Sequence, residues 1–474
     1  QNVGIVTTTK VINRWVLGLA AAILGVAGIV PKFSALLTTI PQCVLGGATV
    51  SVFASIAMTG MKLVASAEMD YRNSSIVGLA AAIGVGVSQA SAALASFPDW
   101  VTTIFGKSPV VLATLIAVVL NIILPKSRDE KKHEKELEKE VKEKIASWMR
   151  SAVGMVESKN IRVVRIADNM RNVAVTEGDK VEAQIKFGWE IDAYPVNEVV
   201  DYVNAVSKGD IDALTQLYYD KYDILLEGRD PKEFRRHVAV QAGIEIGLEK
   251  FLKDHDYQAV VTHFGDLGGL KQLPGLAIQR LMEKGYGFGA EGDWKTAAMV
   301  RLMKVMTAGK KDAKGTSFME DYTYNFVPGK EGILEAHMLE VCPTIADGPV
   351  SIKVNPLSMG DREDPARLVF TAKEGEGIAT SLIDLGHRFR LIINKVDCKK
   401  TEKPMPELPV ATAFWTPKPD LATGAEAWIL AGGAHHTAFS YDITAEQMGD
   451  WAEAMGIEPV YIDNETTIRN LKKD

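Results

Sequence analysis

The stretch Gly432-Gly433-Ala434-His435-His436 is where this sequence most invites chemistry. Two imidazoles stand side by side behind three small residues, and small residues let a backbone come close to a ligand. The apolar run Ala427 to Leu430 before them reads as a strand that would deliver the pair to its end. Cys43, Cys342 and Cys398 are widely spaced, odd in number and without a CxxC pair, which argues against a disulfide framework or a structural zinc site and fits a reducing cytosol. The lysine-rich stretch Lys126 to Lys144 is interleaved with glutamate. With a net charge of −7 there is no clustered basic face, so no nucleic-acid partner is expected.

Such groups must be positioned by elements whose character changes along the chain. From Asn160 onward, short apolar strands are expected to alternate with amphipathic helices: Ile161 to Ile166, Val199 to Val206, then Ala259 to Thr262 after a helix around Glu245 to Leu252. That alternation predicts an α/β domain with a parallel sheet over residues 159–313. Further on, Arg367 to Thr371, Ile378 to Ile383, Phe389 to Val396 and Ala427 to Leu430 read as strands. A separate β-rich domain is expected over residues 314–474.

The first 126 residues have another composition. Gln1 to Pro125 holds 9 charged side chains, whereas 24% of the whole chain is charged. Four apolar runs succeed one another there: Trp15 to Val30, Phe33 to Met58, Ile76 to Ser96 and Val110 to Leu124. Each approaches the roughly 20 residues that cross a bilayer as a helix, and their repetition is unlike a signal peptide. Gly78, Ala82, Gly86 and Ala90 recur at every fourth position, a face on which another helix could close. Residues 1–126 are therefore expected to be all-α transmembrane helices in the lipid bilayer of an inner or plasma membrane.

Residues 127–158 read as a charged amphipathic helical linker. Glu138/Lys142 and Glu140/Lys144 are favourable i,i+4 pairs. Leu137, Val141, Ile145, Trp148 and Met149 form a stripe expected to dock on the domain downstream. Basic residues directly after the last apolar run point to a cytoplasmic end, which puts the downstream domains in the cytoplasm.

Gln1, Asn2, Gly4, Thr9 and Lys10 fill every defined position of Gln-Asn-x-Gly-x4-Thr-Lys, by which the segment resembles the xanthine/uracil permease (nucleobase–ascorbate transporter) family. The resemblance implies that the motif lines a substrate path, with the Gln1 amide reading a purine or pyrimidine edge. It covers a C-terminal portion of such a permease. An incomplete nucleobase permease fragment is therefore the alternative function.

A second resemblance rests on longer blocks. They are Ala167-Asp-Asn-Met170, Val173 to Lys180, Gln184 to Trp189, Gly269 to Leu276, Glu291-Gly-Asp-Trp294, Thr316 to Tyr324 with its Phe-Met-Glu-Asp-Tyr core, His337-Met-Leu-Glu-Val-Cys-Pro343, and Ala427 to Thr437. In order and spacing, residues 144–474 resemble L-arabinose isomerases. The resemblance implies a multidomain chain with a fucose/arabinose isomerase-like central domain, a barrel-like C-terminal domain, and an enzyme that converts L-arabinose to L-ribulose.

It further implies that Glu291, Glu320, His337 and His436 hold a divalent cation. Two carboxylates and two imidazoles suit Mn2+, with Co2+ or Mg2+ as lesser candidates. Glu291 and Glu320 would double as catalytic base and acid, moving a proton between adjacent carbons through an enediol. Met170, Phe264 and His435 would contact the sugar, with D-galactose as a second substrate, in a homo-oligomer. Taken singly, glutamates and histidines so far apart are more often surface carboxylates and hydrogen-bonded imidazoles, so the resemblance carries this set.

Members of that family begin with a further α/β domain where this chain has permease-like helices, and they commonly continue past the block from Ile462 to Thr466. The expectation is an isomerase whose turnover is impaired for want of that domain, or a non-catalytic product of a fusion or assembly error near residues 126–144.

Overall fold

The computed structural model describes residues 41–472 without 67–68, 106–107, 127, 402–404 and 406, together with 18, 19, 21, 23 and 25. The permease motif, Gln1, Asn2, Gly4, Thr9 and Lys10, lies outside the described residues, as does most of the first apolar run. The chain divides into two compact units, Gln1–Glu140 and Val141–Asp474.

The first unit contains α1 (Gln42–Ser66), α2 (Tyr71–Gln89), α3 (Asp99–Phe105), α4 (Pro109–Ile123) and the start of α5 (Arg128–Ser158). Asp70 caps α2 by accepting the Asn73 N–H at 2.7 Å, and the Arg72 guanidinium donates to the Asn121 carbonyl at 2.8 Å near the end of α4. α2 meets α4 through Ile76, Ala80 and Gly84. A Cβ at Gly84 would lie 2.7 Å from the Pro109 carbonyl oxygen, so only glycine permits that approach. The small-residue stripe expected to pack, Gly78, Ala82, Gly86 and Ala90, is exposed instead. It is two residues out of phase with the buried one, which puts it on the other side of the helix.

Among the described residues no single helix is long and apolar enough to cross a membrane. The run from Ile76 is cut short where α2 ends at Gln89, and α4 has 15 residues, below the roughly 20 a span needs. α3 and α4 reach the length and apolarity of a span only taken together, and they are bent by 92°.

In the second unit the end of α5 docks through small residues. Ser151 is buried and donates to the Gln447 carbonyl at 3.1 Å, while Gly154 lies against Met306 and Trp451. The apolar stripe predicted to dock faces outward: Ile145, Trp148 and Met149 are 54–56% exposed.

The parallel sheet has the order β2-β1-β4-β5, built from β1 (Arg162–Ile166), β2 (Glu190–Tyr194), β4 (Ala259–Thr262) and β5 (Gly287–Ala290). β4 and β5 are buried throughout, as strands covered on both faces must be. The helices of this layer are α6 (Lys180–Phe187), α7 (Val196–Asn204), α8 (Lys208–Lys221), α9 (Pro231–Asp254), α10 (Leu276–Glu283) and α11 (Trp294–Met306). The predicted strand over Val199 to Val206 is helical as far as Asn204, in α7. Val196, Val199 and Val200 share its buried face, and Pro195 starts it from an extended conformation. A small sheet, β3 (Asp223–Ile224), β8 (Ser351–Val354) and β9 (Ala366–Val369), borders the layer.

The C-terminal sheet runs β10-β13-β6-β7-β12-β11-β14, and β10 also pairs with β11. Its strands are β6 (Thr316–Asn325), β7 (Gly332–Ala336), β10 (Gly375–Asp384), β11 (Phe389–Cys398), β12 (Ala413–Pro417), β13 (His436–Ser440) and β14 (Glu458–Ile462). The β10–β11 pairing closes six strands into a ring, with β14 added parallel to β11. The run Ala427 to Leu430, expected as a strand, lies in helix α12 (Leu421–Ala431). Asp420 caps that helix by accepting the Thr423 N–H at 2.8 Å, and Gly432 ends it at φ +90°. α13 (Ala445–Ala454) and α14 (Ile468–Leu471) follow toward the end of the chain.

Candidate active site

Four strands bring the predicted ligands together from two domains. On the sheet side, β5 ends at Ala290 and Glu291 comes next with φ +59°. A left-handed backbone at a non-glycine residue costs roughly 1–2 kcal/mol, so the packing around it must fix this conformation. On the barrel side, His436 of β13 stands directly opposite Glu320 of β6. Glu320 in turn stands opposite Ala336 of β7, so His337 emerges just beyond that strand.

Glu291 Oε2 is 3.6 Å from His435 Nε2 and 3.7 Å from His436 Nε2. Glu320 Oε2 is 3.7 Å from His337 Nε2. The His337 and His436 ring centroids are 6.2 Å apart, with the Phe318 ring 5.0 Å and 5.1 Å from them. Separations of 3.6–3.7 Å are too long for hydrogen bonds. Glu291 thus faces His435 and His436, and Glu320 faces His337, in two adjoining groups.

Each deep imidazole is braced from behind. His436, fully buried, has Nδ1 3.1 Å from Asp293 Oδ2, and His337 has Nδ1 2.5 Å from Glu340 Oε2. An ionised carboxylate only accepts, so Nδ1 carries the proton and Nε2 presents its lone pair to the glutamate it faces. His436 Nε2 is buried without a hydrogen-bond partner in the protein. Glu291, His435 and His436 offer ligand atoms within 4.8 Å of one another. An orphaned imidazole nitrogen amid carboxylate oxygens is a donor set that fits a divalent cation.

The charges are tuned by these neighbours. Burial works against the Asp293 carboxylate, but His436, Lys295 and Thr296 outweigh it and hold the group at about 2. Glu291 also lies below its ordinary value: burial raises it, and His435, His436 and His337 more than reverse that. Burial lowers His337 and His435, yet the surrounding carboxylates, Glu340 foremost for His337 and Glu291 for His435, leave both above 6.5.

Other predicted residues divide. Met170 is at the cluster's edge, its N–H donating to the Glu291 carbonyl at 2.8 Å. Phe264 packs on the core of the α/β layer, its ring centroid 5.7 Å from that of His263. His435 is near Glu291 but its side chain is 34% exposed. Asp293 and Glu340 escape sequence reasoning, although both sit inside the family-like blocks, two and three residues after Glu291 and His337. The available signal is the rule that a ligating histidine gives its other nitrogen to a carboxylate.

Fold and cluster together define a protein with a His/Glu set that could hold a cation, between the end of a parallel sheet and a closed barrel. Residues 162–309 match the model of the L-arabinose isomerase central domain, and residues 315–458 that of the L-arabinose isomerase C-terminal domain. The chain is 57% identical over 332 residues to the L-arabinose isomerases of Geobacillus kaustophilus (strain HTA426) and Geobacillus stearothermophilus. It is 53% identical over 332 residues to that of Bacillus subtilis (strain 168). Each match takes in 70% of this chain and 66% of the relative, so the chain spans just under two thirds of the length of these relatives. By these two domains the chain belongs to the L-arabinose isomerase family. Residues 1–93 match a permease family model of the xanthine/uracil type.

Proposed function

We propose that residues 141–474 are an aldose–ketose isomerase that converts L-arabinose to L-ribulose, accepts D-galactose as a second sugar, and works as a cytoplasmic homo-oligomer. The observation that carries this reading is the convergence of Glu291 and Glu320 with two imidazoles that are each braced by a buried carboxylate. Glu291, Glu320, His337 and His436 would hold the cation, Mn2+ before Co2+ or Mg2+, because the set mixes hard oxygens with imidazole and lacks thiolate. His435, more exposed and without a buried carboxylate behind it, is left to the sugar, with Met170 and Phe264 as further contacts.

When bound, such a cation supplies positive charge that stabilises oxyanions developing on the sugar. One of the two carboxylates takes the proton from C2 of the aldose while the other carboxyl group protonates O1, giving an enediol. Delivery of a proton to C1 and removal of one from the C2 hydroxyl then completes the ketose, with no outside redox partner. The Phe318 ring packs edge-on against both deep imidazoles and helps fix where their Nε2 atoms lie.

Full-length chain loaded with Mn2+ and given L-arabinose should form L-ribulose, and Glu320→Gln or Glu291→Gln should lower kcat by about 10²–10⁴-fold. A folded, Mn2+-loaded chain that forms no ketose sinks the proposal. The permease match supports a membrane setting for residues 1–126 and a second reading, nucleobase transport. Labelled xanthine or uracil uptake in cells lacking purine permeases tests it, and no gain over empty cells rejects it.

A further inference from the structure

Behind the cluster, the barrel wall shows a second polar face. Strand residues alternate sides, so the neighbours of the outward-facing Glu320 and His436, namely Asp321 and Thr437, turn inward. Asp321 of β6 stands directly opposite Glu335 of β7. These three residues and Asn394 of β11 line one small cavity inside the ring, with Trp428 of α12 among its walls.

Four oxygens there are buried and have no hydrogen-bond partner in the protein: Asp321 Oδ1, Glu335 Oε2, Asn394 Oδ1 and Thr437 Oγ1. Glu335 is 2% exposed, and Asn394 and Thr437 are each 5% exposed. The Tyr324 hydroxyl donates to the other Asp321 oxygen at 2.7 Å. Among the described residues, no lysine, arginine or histidine lines the cavity. Two carboxyl groups, an amide oxygen and a hydroxyl thus line one cavity where each unpaired oxygen is costly and burial pushes both carboxyls above their ordinary values. The free volume is about 30 Å³, enough for an ion with a water and too small for a sugar.

We propose that the barrel interior is a second cation site, oxygen-only and made for calcium, separate from the Glu291/His436 cluster. Oxygen without nitrogen or sulfur selects a hard cation. Calcium is favoured over magnesium because it accepts several protein oxygens in irregular geometry, whereas magnesium keeps waters for which there is little room. An ion there pins β6, β7, β11 and β13 from within. It thereby fixes the backbone that holds Glu320 and His436 outside, and the site stands whether or not the chain turns over sugar.

The test is metal content, read without activity. Full-length chain is stripped with chelator, reloaded with Mn2+, and dialysed against about 1 mM calcium, the weak end of protein calcium sites. The expected result is one calcium per chain beside the Mn2+, a higher Tm with calcium than without, and loss of calcium but not of Mn2+ in Glu335→Gln. Thr437→Val removes one oxygen at nearly constant shape and should weaken calcium at least tenfold, which keeps the test open if the first variant does not fold. A wild-type chain that retains no calcium, or variants that retain it like wild type, overturns the site in favour of a water-filled cavity with a protonated carboxyl pair.

Discussion

Replacing Asp293 with asparagine keeps the shape of a side chain that does two jobs. Its Oδ1 accepts the Thr296 N–H at 3.1 Å and so caps α11, a contact asparagine can retain. Its Oδ2 accepts from His436 Nδ1 at 3.1 Å and from the Thr296 hydroxyl at 2.7 Å. An amide N–H turned toward Nδ1 would instead donate, pushing the imidazole proton to Nε2 and removing the lone pair that faces Glu291. Loss of such a bracing carboxylate typically lowers metal affinity 10–100-fold, or about 1.4–2.7 kcal/mol. The metal-free fold loses stability as well. The carboxyl is held at about 2 against an ordinary 3.8, a depression worth about 2 kcal/mol, present above pH 3.8 and lost as pH falls toward 2. Asp293→Asn should therefore bind Mn2+ 10–100-fold more weakly by calorimetric titration, and should lose up to about 2 kcal/mol in denaturant at neutral pH. Affinity within twofold of wild type, with unchanged stability, would refute the reasoning.

Proton competition gives a further expectation. His337 and His435 are raised above 6.5 by their carboxylate neighbours, so their stabilising charge is complete below that pH and is lost as pH rises through the raised values. Glu291, being depressed, contributes above its unfolded value of 4.5 and is lost as pH falls below it. The metal-free cluster is thus most stabilising between about pH 4.5 and 6.5, while Mn2+ affinity, which requires deprotonated ligands, should climb from pH 6 to 8; a flat titration series rejects this. Trp451→Ala should cost about 3–5 kcal/mol in urea melts, because the ring is fully buried and stacks 5.6 Å from Phe187 and 6.3 Å from Trp189. A cost below 1 kcal/mol would mean the site collapses around the gap.

The α/β layer and the β10–β11 pair were legible because their apolar runs are bounded by turns and buried over most of their length. Val199 to Val206 and Ala427 to Leu430 misled for one reason: a short run rich in small and β-branched residues fits both periods, and the decision lies in flanking caps. Pro195, Asp420 and Gly432 were those caps. Glu291, Glu320, His337 and His436 were reached through family blocks, since nothing local connects residues in β6 and β13 with residues just past the ends of β5 and β7. Asp293 and Glu340 were hidden by depth, which no spacing reports. The inward acids Asp321 and Glu335 look like surface carboxylates until cross-strand register turns them into the barrel.

Because β6 presents Glu320 on one side and Asp321 on the other, a one-residue shift in its pairing would exchange the two carboxylates between compartments. The strand already absorbs one extra residue, between Asp321 and Thr323, immediately after this pair. Changes in chain length here are therefore tolerable in the exposed hairpin of residues 326–331 and ruinous upstream of it, where a single inserted amino acid would turn the reactive wall inside out.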